Sequence, residues 1–130
     1  MGEHQDKKEA VRNFLNNFKK LATTERGIDI IPRRKNLESL SQLGITLKIC
    51  REEILSLTVN NYLDGPRPDR DRPGEVWEFG KRVFGKEVYI KLKIAQAGNA
   101  TITKCLSFHE AEFPLYFPFQ EEGEEGRDEE

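Results

Sequence analysis

The sequence predicts an α+β domain in which N-terminal helices pack on one face of an antiparallel β-sheet. Through about the first sixty residues, apolar side chains recur every three or four positions, which is typical of amphipathic helices. From about residue 75 onward, apolar and polar residues alternate instead, which is typical of strands with one buried face. A run of helices followed by a run of strands favours the α+β class.

The first predicted helix covers residue 6 to about residue 22, where apolar residues form a stripe along one face. Asp6 and Glu9 have the spacing of a capping pair at its start. The short apolar run that follows ends at Pro32, so we expect a brief strand over residues 27–32.

Further short helices are predicted before the sheet, each preceded by a residue type that favours an N-cap position. These are Asn36 before a helix over 37–43 that ends at Gly44, Thr46 before a helix from 47 to about 57, and Thr58 before one more turn that carries Tyr62. Residues 64–74 contain three prolines and two glycines, and they are therefore predicted to form a loop.

Three consecutive antiparallel strands are predicted over about 75–82, 87–95 and 100–108. In the second strand the apolar set is Val88, Ile90, Leu92 and Ile94, and the polar set is Tyr89, Lys91 and Lys93. In the third strand the apolar set is Ile102, Leu106 and Phe108, opposite Thr103, Cys105, Ser107 and His109. Burial of the apolar face fixes this register. We therefore expect Tyr89, Lys91, Ser107 and His109 to share the solvated face.

The composition is that of a small soluble domain with an acidic end. The chain has 130 residues, which suits a single domain over residues 1–120 followed by a disordered tail over 121–130. The net charge of −2 conceals a tail of net −6 on a body of net +4, and a basic body is compatible with a polyanionic ligand. There is no secretory signal and no apolar run of membrane-spanning length, so we expect a cytoplasmic protein.

Two cysteines, Cys50 and Cys105, lie far apart in the sequence, and we expect both to be reduced and structural. The cysteines and the two histidines do not cluster at the spacing of a metal site, so no metal and no other cofactor is expected.

The polar residues of the predicted sheet suit cleavage of RNA without a metal. That reaction needs a base for the 2′-hydroxyl, cations for the charged phosphorane, and an acid for the leaving 5′-oxygen. Histidine suits the first or the third role because it titrates near neutrality. The candidates are His109 as acid or base, Lys91 and Lys81 as cations, Tyr89 as a positioning group, and Glu78 as a second acid–base group.

Several elements, in order, resemble a known family. They are Leu43-Gly44-Ile45, the region of Tyr62, Trp77, Val88-Tyr89-Ile90-Lys91, and Ser107-Phe108. The sequence resembles the MqsR-type toxins, the motility quorum-sensing regulator group of bacterial type II toxin–antitoxin systems, from about residue 36 to residue 119. The resemblance implies a small RelE-like fold and a metal-independent mRNA endoribonuclease. It assigns Tyr89 and Lys91 to the active site, whereas Glu78 and His109 stand where the family has other polar residues.

The resemblance also implies mRNA as substrate and a cognate antitoxin as protein partner. Further RNA contacts are expected from Lys81, Arg82, Lys93 and Tyr62. Two other hypotheses stay open: a non-catalytic RNA-binding or regulatory module on the same fold, and a structural domain whose polar face meets another protein. Each candidate also has a simpler interpretation, because lysines protect sheet edges and tyrosine is common in strands.

Overall fold

The computed structural model describes residues 2–24 and 27–120, and the predicted acidic tail over 121–130 lies outside them. The helices are α1 (Gly2–Ala22), α2 (Arg34–Leu43) and α3 (Leu47–Leu55), with a 3₁₀ turn at Val59–Asn61. The strands are β1 (Ile28–Ile30), β2 (Tyr62–Pro68), β3 (Glu75–Val83), β4 (Lys86–Ala97) and β5 (Ala100–Glu110). The predicted α+β class is thus confirmed.

The described strands form one sheet in the order β1-β5-β4-β3-β2. Strands β2 to β5 are antiparallel neighbours, which confirms the predicted three-stranded meander and adds β2 to its edge. β1 runs parallel to β5, with Ile28 opposite Thr103. The prediction of a purely antiparallel sheet is therefore wrong, because a strand from the start of the chain pairs with β5, the last strand described.

Helices pack on one face of the sheet, here called the inner face. The buried side of α1 presents Val11, Leu15 and Phe18 to the core, and its partly buried Phe14 stacks on Trp77 with ring centroids 4.6 Å apart. Fully burying an aromatic side chain contributes about 1.5–3 kcal/mol, so these rings hold α1 to the sheet. Among the described helices, none combines the length and apolar character that a membrane span requires.

The helix ends agree only partly with the sequence predictions. Thr46 and Thr58 cap the elements that follow them, and Gly44 ends α2 with a left-handed φ of 74°, as predicted. Asp6 is not a cap, because α1 already begins at Gly2. Asn36 is not a cap either: α2 begins at Arg34, which places Asn36 inside the helix with its side chain buried.

The predicted loop over 64–74 is shorter in the structure, because its first part belongs to β2, which pairs with β3. Its prolines are tolerated because β2 is an edge strand and its register is irregular at two points. The remaining residues, 69–74, form a loop that we name the charged loop. It contains Asp69, Arg70, Asp71 and Arg72.

A β-bulge interrupts β5 and changes which of its residues face the core. Lys91 lies opposite Ser107, but Leu92 lies opposite Cys105, so Leu106 is an extra residue between these two pairs. Phe108 and Cys105 consequently both belong to the core. The prediction that Ile102 and Leu106 share the face of Phe108, opposite Thr103 and Cys105, is therefore wrong, because a bulge shifts the alternation by one residue.

Side chains of α2 bind the edge of β5 just beyond the point where β1 ends. Asn36 Nδ2 donates to the carbonyl oxygens of Leu106 (3.0 Å) and Ile31 (2.9 Å), and Asn36 Oδ1 accepts from Phe108 N (3.0 Å). Ser39 Oγ accepts from Glu110 N at 3.3 Å. The helix thus satisfies backbone groups that an edge strand leaves unpaired, and it fixes the segment that carries Ser107 and His109.

Candidate active site

Two rows of side chains cross β3, β4 and β5 on the face opposite the helices, here called the outer face. In the first row Glu78 lies opposite Lys91, and Lys91 opposite Ser107. In the second row Gly80 lies opposite Tyr89, and Tyr89 opposite His109. Directly paired residues of neighbouring strands have Cβ atoms about 4.5–5.5 Å apart, so the two rows form one compact polar cluster.

These side chains line a cleft of about 470 Å³. Its floor consists of Glu78, Tyr89, Lys91, Ser107 and His109. One wall is formed by residues 111–116. They belong to the segment after β5, residues 111–119, which we name the aromatic strap. The prediction that Tyr89, Lys91, Ser107 and His109 share one face is confirmed, because all four line this cleft.

Glu78 is held by Tyr89 and Arg67. Glu78 interacts electrostatically with the Tyr89 hydroxyl, and Arg67 Nε lies 3.9 Å from Glu78 Oε2. Burial, together with the negative charge of Glu78, raises the pKa of Tyr89 well above that of a free tyrosine. Tyr89 therefore remains a neutral hydrogen-bond donor at physiological pH.

Lys91 has no ion-pair or hydrogen-bond partner for its ammonium group among residues 2–24 and 27–120. Glu78 lies directly opposite on β3, but its carboxylate is directed to Tyr89 and Arg67. A half-buried cation left free at the centre of a cleft is available to an anionic ligand.

His109 has a fixed orientation at the end of β5. Its Nδ1 lies 3.0 Å from the carbonyl oxygen of Glu110, and its ring lies 5.4 Å from that of Tyr89. A carbonyl oxygen only accepts hydrogen bonds, so Nδ1 carries the proton and, in the neutral ring, Nε2 carries the lone pair. Nε2 is therefore the atom of His109 that can act as a base.

A second cleft, of about 540 Å³, lies on the other side of the same rows. It shares Glu78, Tyr89 and Lys91 with the first cleft. Its other lining residues include Arg33, Arg67, Arg70, Asp69 and Asp71. The polar cluster thus lies between an arginine-rich cleft and an aromatic one, which suits a ligand with both phosphates and bases.

Of the predicted RNA contacts, Tyr62 and Lys81 do not reach this face. Tyr62 is buried in the core, where its hydroxyl donates to the carbonyl oxygen of Gly65. Lys81 lies opposite Val88, a core residue, and its Nζ contacts Glu53 Oε1 on α3 at 2.7 Å. Both predicted placements are wrong, because these side chains belong to the inner, helix-covered side.

Lys93 and Arg82 lie on the outer face but outside the clefts just described. Lys93 is 3% exposed, and its Nζ binds Asp69 Oδ2 (2.5 Å) and the carbonyl oxygen of Pro73 (2.8 Å). It holds the charged loop onto the sheet and is not accessible to RNA, so that prediction is also wrong. Arg82 lies opposite Glu87 and lines two other cavities, one bordered by Phe113 and the other by Phe117 of the strap.

Two contributors to the site were not predicted from the sequence: Asn36 and Arg67. The Pro-Arg-Pro run around Arg67 suggested only a loop, whereas it forms an edge strand. The strap packs against the sheet at Gly80, where a Cβ atom would lie 2.6 Å from Leu115 Cδ1 and 3.1 Å from Phe117 Cε1. A glycine aligned with Tyr89 and His109 was the sequence signal for this close approach.

Within the part of the chain that the structure describes, no three His, Cys, Asp or Glu side chains are placed to hold a metal ion. Both cysteines are free and buried, and burial raises the pKa of the Cys50 thiol to about 12. Neither thiol is therefore a nucleophile at physiological pH.

Comparison with protein-family models, with curated proteins and with solved structures finds no match to this chain.

Proposed function

We propose that this protein is a metal-independent endoribonuclease that cleaves single-stranded RNA by attack of a 2′-hydroxyl. The observation that carries the proposal is the convergence of Glu78, Tyr89, Lys91 and His109 in one cleft. These groups supply a base, a free cation and two hydrogen-bonding side chains around a space large enough for a nucleotide.

The reaction is an internal transesterification. His109 Nε2 takes the proton of the 2′-hydroxyl, and the 2′-oxygen forms a bond to phosphorus. The bond between phosphorus and the 5′-oxygen breaks, and that oxygen takes a proton as it leaves. The products are a 2′,3′-cyclic phosphate and a 5′-hydroxyl end, and neither water nor an oxidant is consumed.

Lys91 has two roles in this proposal. Its unpaired ammonium group donates hydrogen bonds to the non-bridging oxygens, where negative charge develops in the transition state. It also lies close enough to the scissile phosphate to give a proton to the leaving 5′-oxygen, which is far more basic than an amine. Because no carboxylate among residues 2–24 and 27–120 forms an ion pair with Lys91, its charge is available to the phosphate.

Tyr89 and Glu78 position the substrate. The Tyr89 hydroxyl interacts with Glu78, and the Tyr89 ring lies 5.4 Å from the His109 ring. Arg67, which pairs with Asp64 and lies near Glu78, adds positive charge at the border of the two clefts. Glu78 is a positioning residue in this scheme, since its carboxylate contacts Tyr89 and Arg67.

The resemblance to MqsR-type toxins supports a narrower proposal: a RelE-like toxin that cleaves mRNA in the cytoplasm and is neutralised by a cognate antitoxin. The α+β fold and the joint placement of Tyr89 and Lys91 agree with it. Induced expression in a bacterium should arrest growth, and the His109→Ala variant should not. Growth arrest by both variants would contradict toxicity through cleavage.

The direct test is incubation of the purified protein with single-stranded RNA in EDTA. We expect cyclic-phosphate and 5′-hydroxyl ends, with a rate reduced about 10²–10⁴-fold in His109→Ala. Added imidazole should restore part of that rate, which a merely unfolded variant would not show. Loss of wild-type cleavage in EDTA would refute the metal-free mechanism.

The second candidate is a non-catalytic RNA-binding module, favoured by the arginine-rich cleft. Intact RNA together with salt-dependent binding would support it over the nuclease. If the protein neither cleaves nor binds RNA, the third hypothesis remains, namely a structural domain that meets another protein.

A further inference from the structure

Two aromatic rings stand exposed at the rim of the first cleft. Phe113 is 77% exposed and Tyr116 is 78% exposed, and both line the cleft. Within residues 2–24 and 27–120, the other exposed large aromatic side chain is Phe84, in the turn between β3 and β4. Single exposed apolar residues are ordinary, but two aromatic rings at one cleft mark a binding surface.

The strap that carries these rings is anchored at several points. Leu115 and Phe117 pack at Gly80, and Phe119 is buried against Tyr62, with ring centroids 5.3 Å apart and planes 22° from parallel. Glu112, just before Phe113, pairs with Lys35 of α2. Alternate residues of the strap are thus fixed to the domain, and the two exposed rings are displayed on a backbone that is already ordered.

The chemistry around the rings is that of a nucleotide subsite. Bases of single-stranded nucleic acid stack on aromatic side chains, and this contact tolerates any sequence because every base has a π-face. The same cleft presents Lys91 and His109 to the phosphate. Its volume of about 470 Å³ matches the lower part of the range of small-ligand sites, which is enough for about one nucleotide.

We propose that Phe113 and Tyr116 form a base-stacking subsite for one unpaired nucleobase of single-stranded RNA, whose adjacent phosphodiester lies over Lys91 and His109. This inference rests on the proposed function and extends it to substrate selection. A base inside a duplex is stacked and paired on both sides and cannot enter the subsite. The aromatic strap therefore restricts cleavage to unpaired segments.

The first experiment measures binding of a short single-stranded oligonucleotide with 2′-fluoro sugars, which lacks the attacking hydroxyl and stays intact. The variants are Phe113→Ala, Tyr116→Ala and the double variant. Phe84→Ala is the matched control, because it removes an exposed aromatic ring outside the cleft. Stacking contributes enough for about a ten- to hundredfold loss of affinity in the double variant, and Phe84→Ala should stay within about twofold of the wild type.

The second experiment replaces each base of the oligonucleotide in turn by an abasic site. With the wild type, one position should weaken binding far more than its neighbours. In the double variant that same position should have almost no further effect, because the base has already lost its partner rings. A general loss of fold would instead weaken binding at every position alike.

The outcomes separate this inference from the function on which it rests. Cleavage and binding by the wild type, with unchanged affinity in the double variant, would overturn the stacking subsite and leave the nuclease intact. That result is also expected if the two rings contact a protein partner. The stacking subsite would also be overturned if the losses of affinity from the abasic sites and from the aromatic substitutions were additive. If the wild type neither cleaves nor binds the RNA, both proposals are refuted.

Discussion

The two lysines at neighbouring outer-face positions of β4 show how differently one sheet face is used along its length. Lys93 is buried beneath the charged loop and bonded to Asp69 and Pro73, whereas Lys91 stands in an open cleft without a partner among the described residues. Lys93 holds the charged loop on the sheet, and Lys91 is available to an anionic ligand. The role of a lysine on this sheet face therefore cannot be predicted from its strand position until the segments that cover the sheet are known.

Of the changes that test this comparison, the largest expected effect is the loss of activity on removing Lys91. Lys91→Ala should reduce RNA cleavage about 10²–10³-fold, because it removes a preorganised cation from the transition state. Thermal unfolding should be almost unchanged, since no hydrogen bond or ion pair within the described residues is lost. Lys86→Ala, an exposed lysine of the same strand, is the control and should cleave normally. An equal loss in both variants would show that general positive charge, and not this position, matters.

The second prediction tests Asn36, the side chain of α2 that bonds to the backbone of β5. Asn36→Ala should lower the free energy of unfolding by about 2–4 kcal/mol, because it leaves buried backbone groups of Leu106 and Phe108 without partners. Chemical denaturation measures this loss. Ser41→Ala, an exposed position of the same helix, should be near neutral. A small effect at Asn36 would mean that water or another side chain replaces its bonds.

The third prediction concerns the buried lysine. Lys93→Met keeps the aliphatic stem but removes the bonds to Asp69 and Pro73, and it should cost about 1.5–3 kcal/mol in the free energy of unfolding. Cleavage at a temperature where both proteins are folded should fall much less than in Lys91→Ala. A loss of activity as large as that of Lys91→Ala would place Lys93 in the site after all.

The same pair has a defined pH dependence. The hydrogen bond from Lys93 lowers the pKa of Asp69 below its ordinary value of 3.8. A carboxyl group with a lowered pKa stabilises the folded state above that ordinary value, and this stabilisation is lost as the pH falls through the folded-state pKa. The stability difference between the wild type and Lys93→Met should therefore be constant near neutrality and shrink below about pH 4. A difference that stays undiminished as the pH falls below about 4 would contradict the assignment.

The smallest effect is expected at the glycine under the strap. Gly80→Ala should cost about 1–2 kcal/mol, because its Cβ atom would lie 2.6 Å from Leu115 Cδ1 and the strap would have to move. Adding Leu115→Ala removes that atom and should recover part of the loss, so the two substitutions should be non-additive. Strict additivity would show that the strap does not depend on this contact.

The sequence predicted the parts of the site that depend on regular alternation. From Val88 to Ile94 the pattern is unbroken, and it placed Tyr89 and Lys91 correctly. The bulge at Leu106 was not predictable in this way, because the alternation of apolar and polar residues does not show where an extra residue is inserted. Lys81 is different: it shares the parity of Trp77 and Phe79, so the same rule already assigned it to the inner face.

Contacts between distant segments were beyond reach of the sequence patterns. Nothing in the local sequence shows that the charged loop buries Lys93 or that Asn36 bonds to β5. These contacts depend on how segments far apart in the chain meet after folding. They decide which polar residues of the outer face stay accessible, and so they define the candidate site.

The parallel pairing of β1 with β5 has a consequence for the order in which the domain folds during synthesis. During synthesis β1 has no neighbouring strand to pair with until β5 has been translated. The cleft walls form only after Tyr116 has emerged from the ribosome. A nascent chain therefore carries the helices, the charged loop and most of the sheet without a complete cleft. The cleft can be complete only after residues up to Tyr116 have joined the folded sheet.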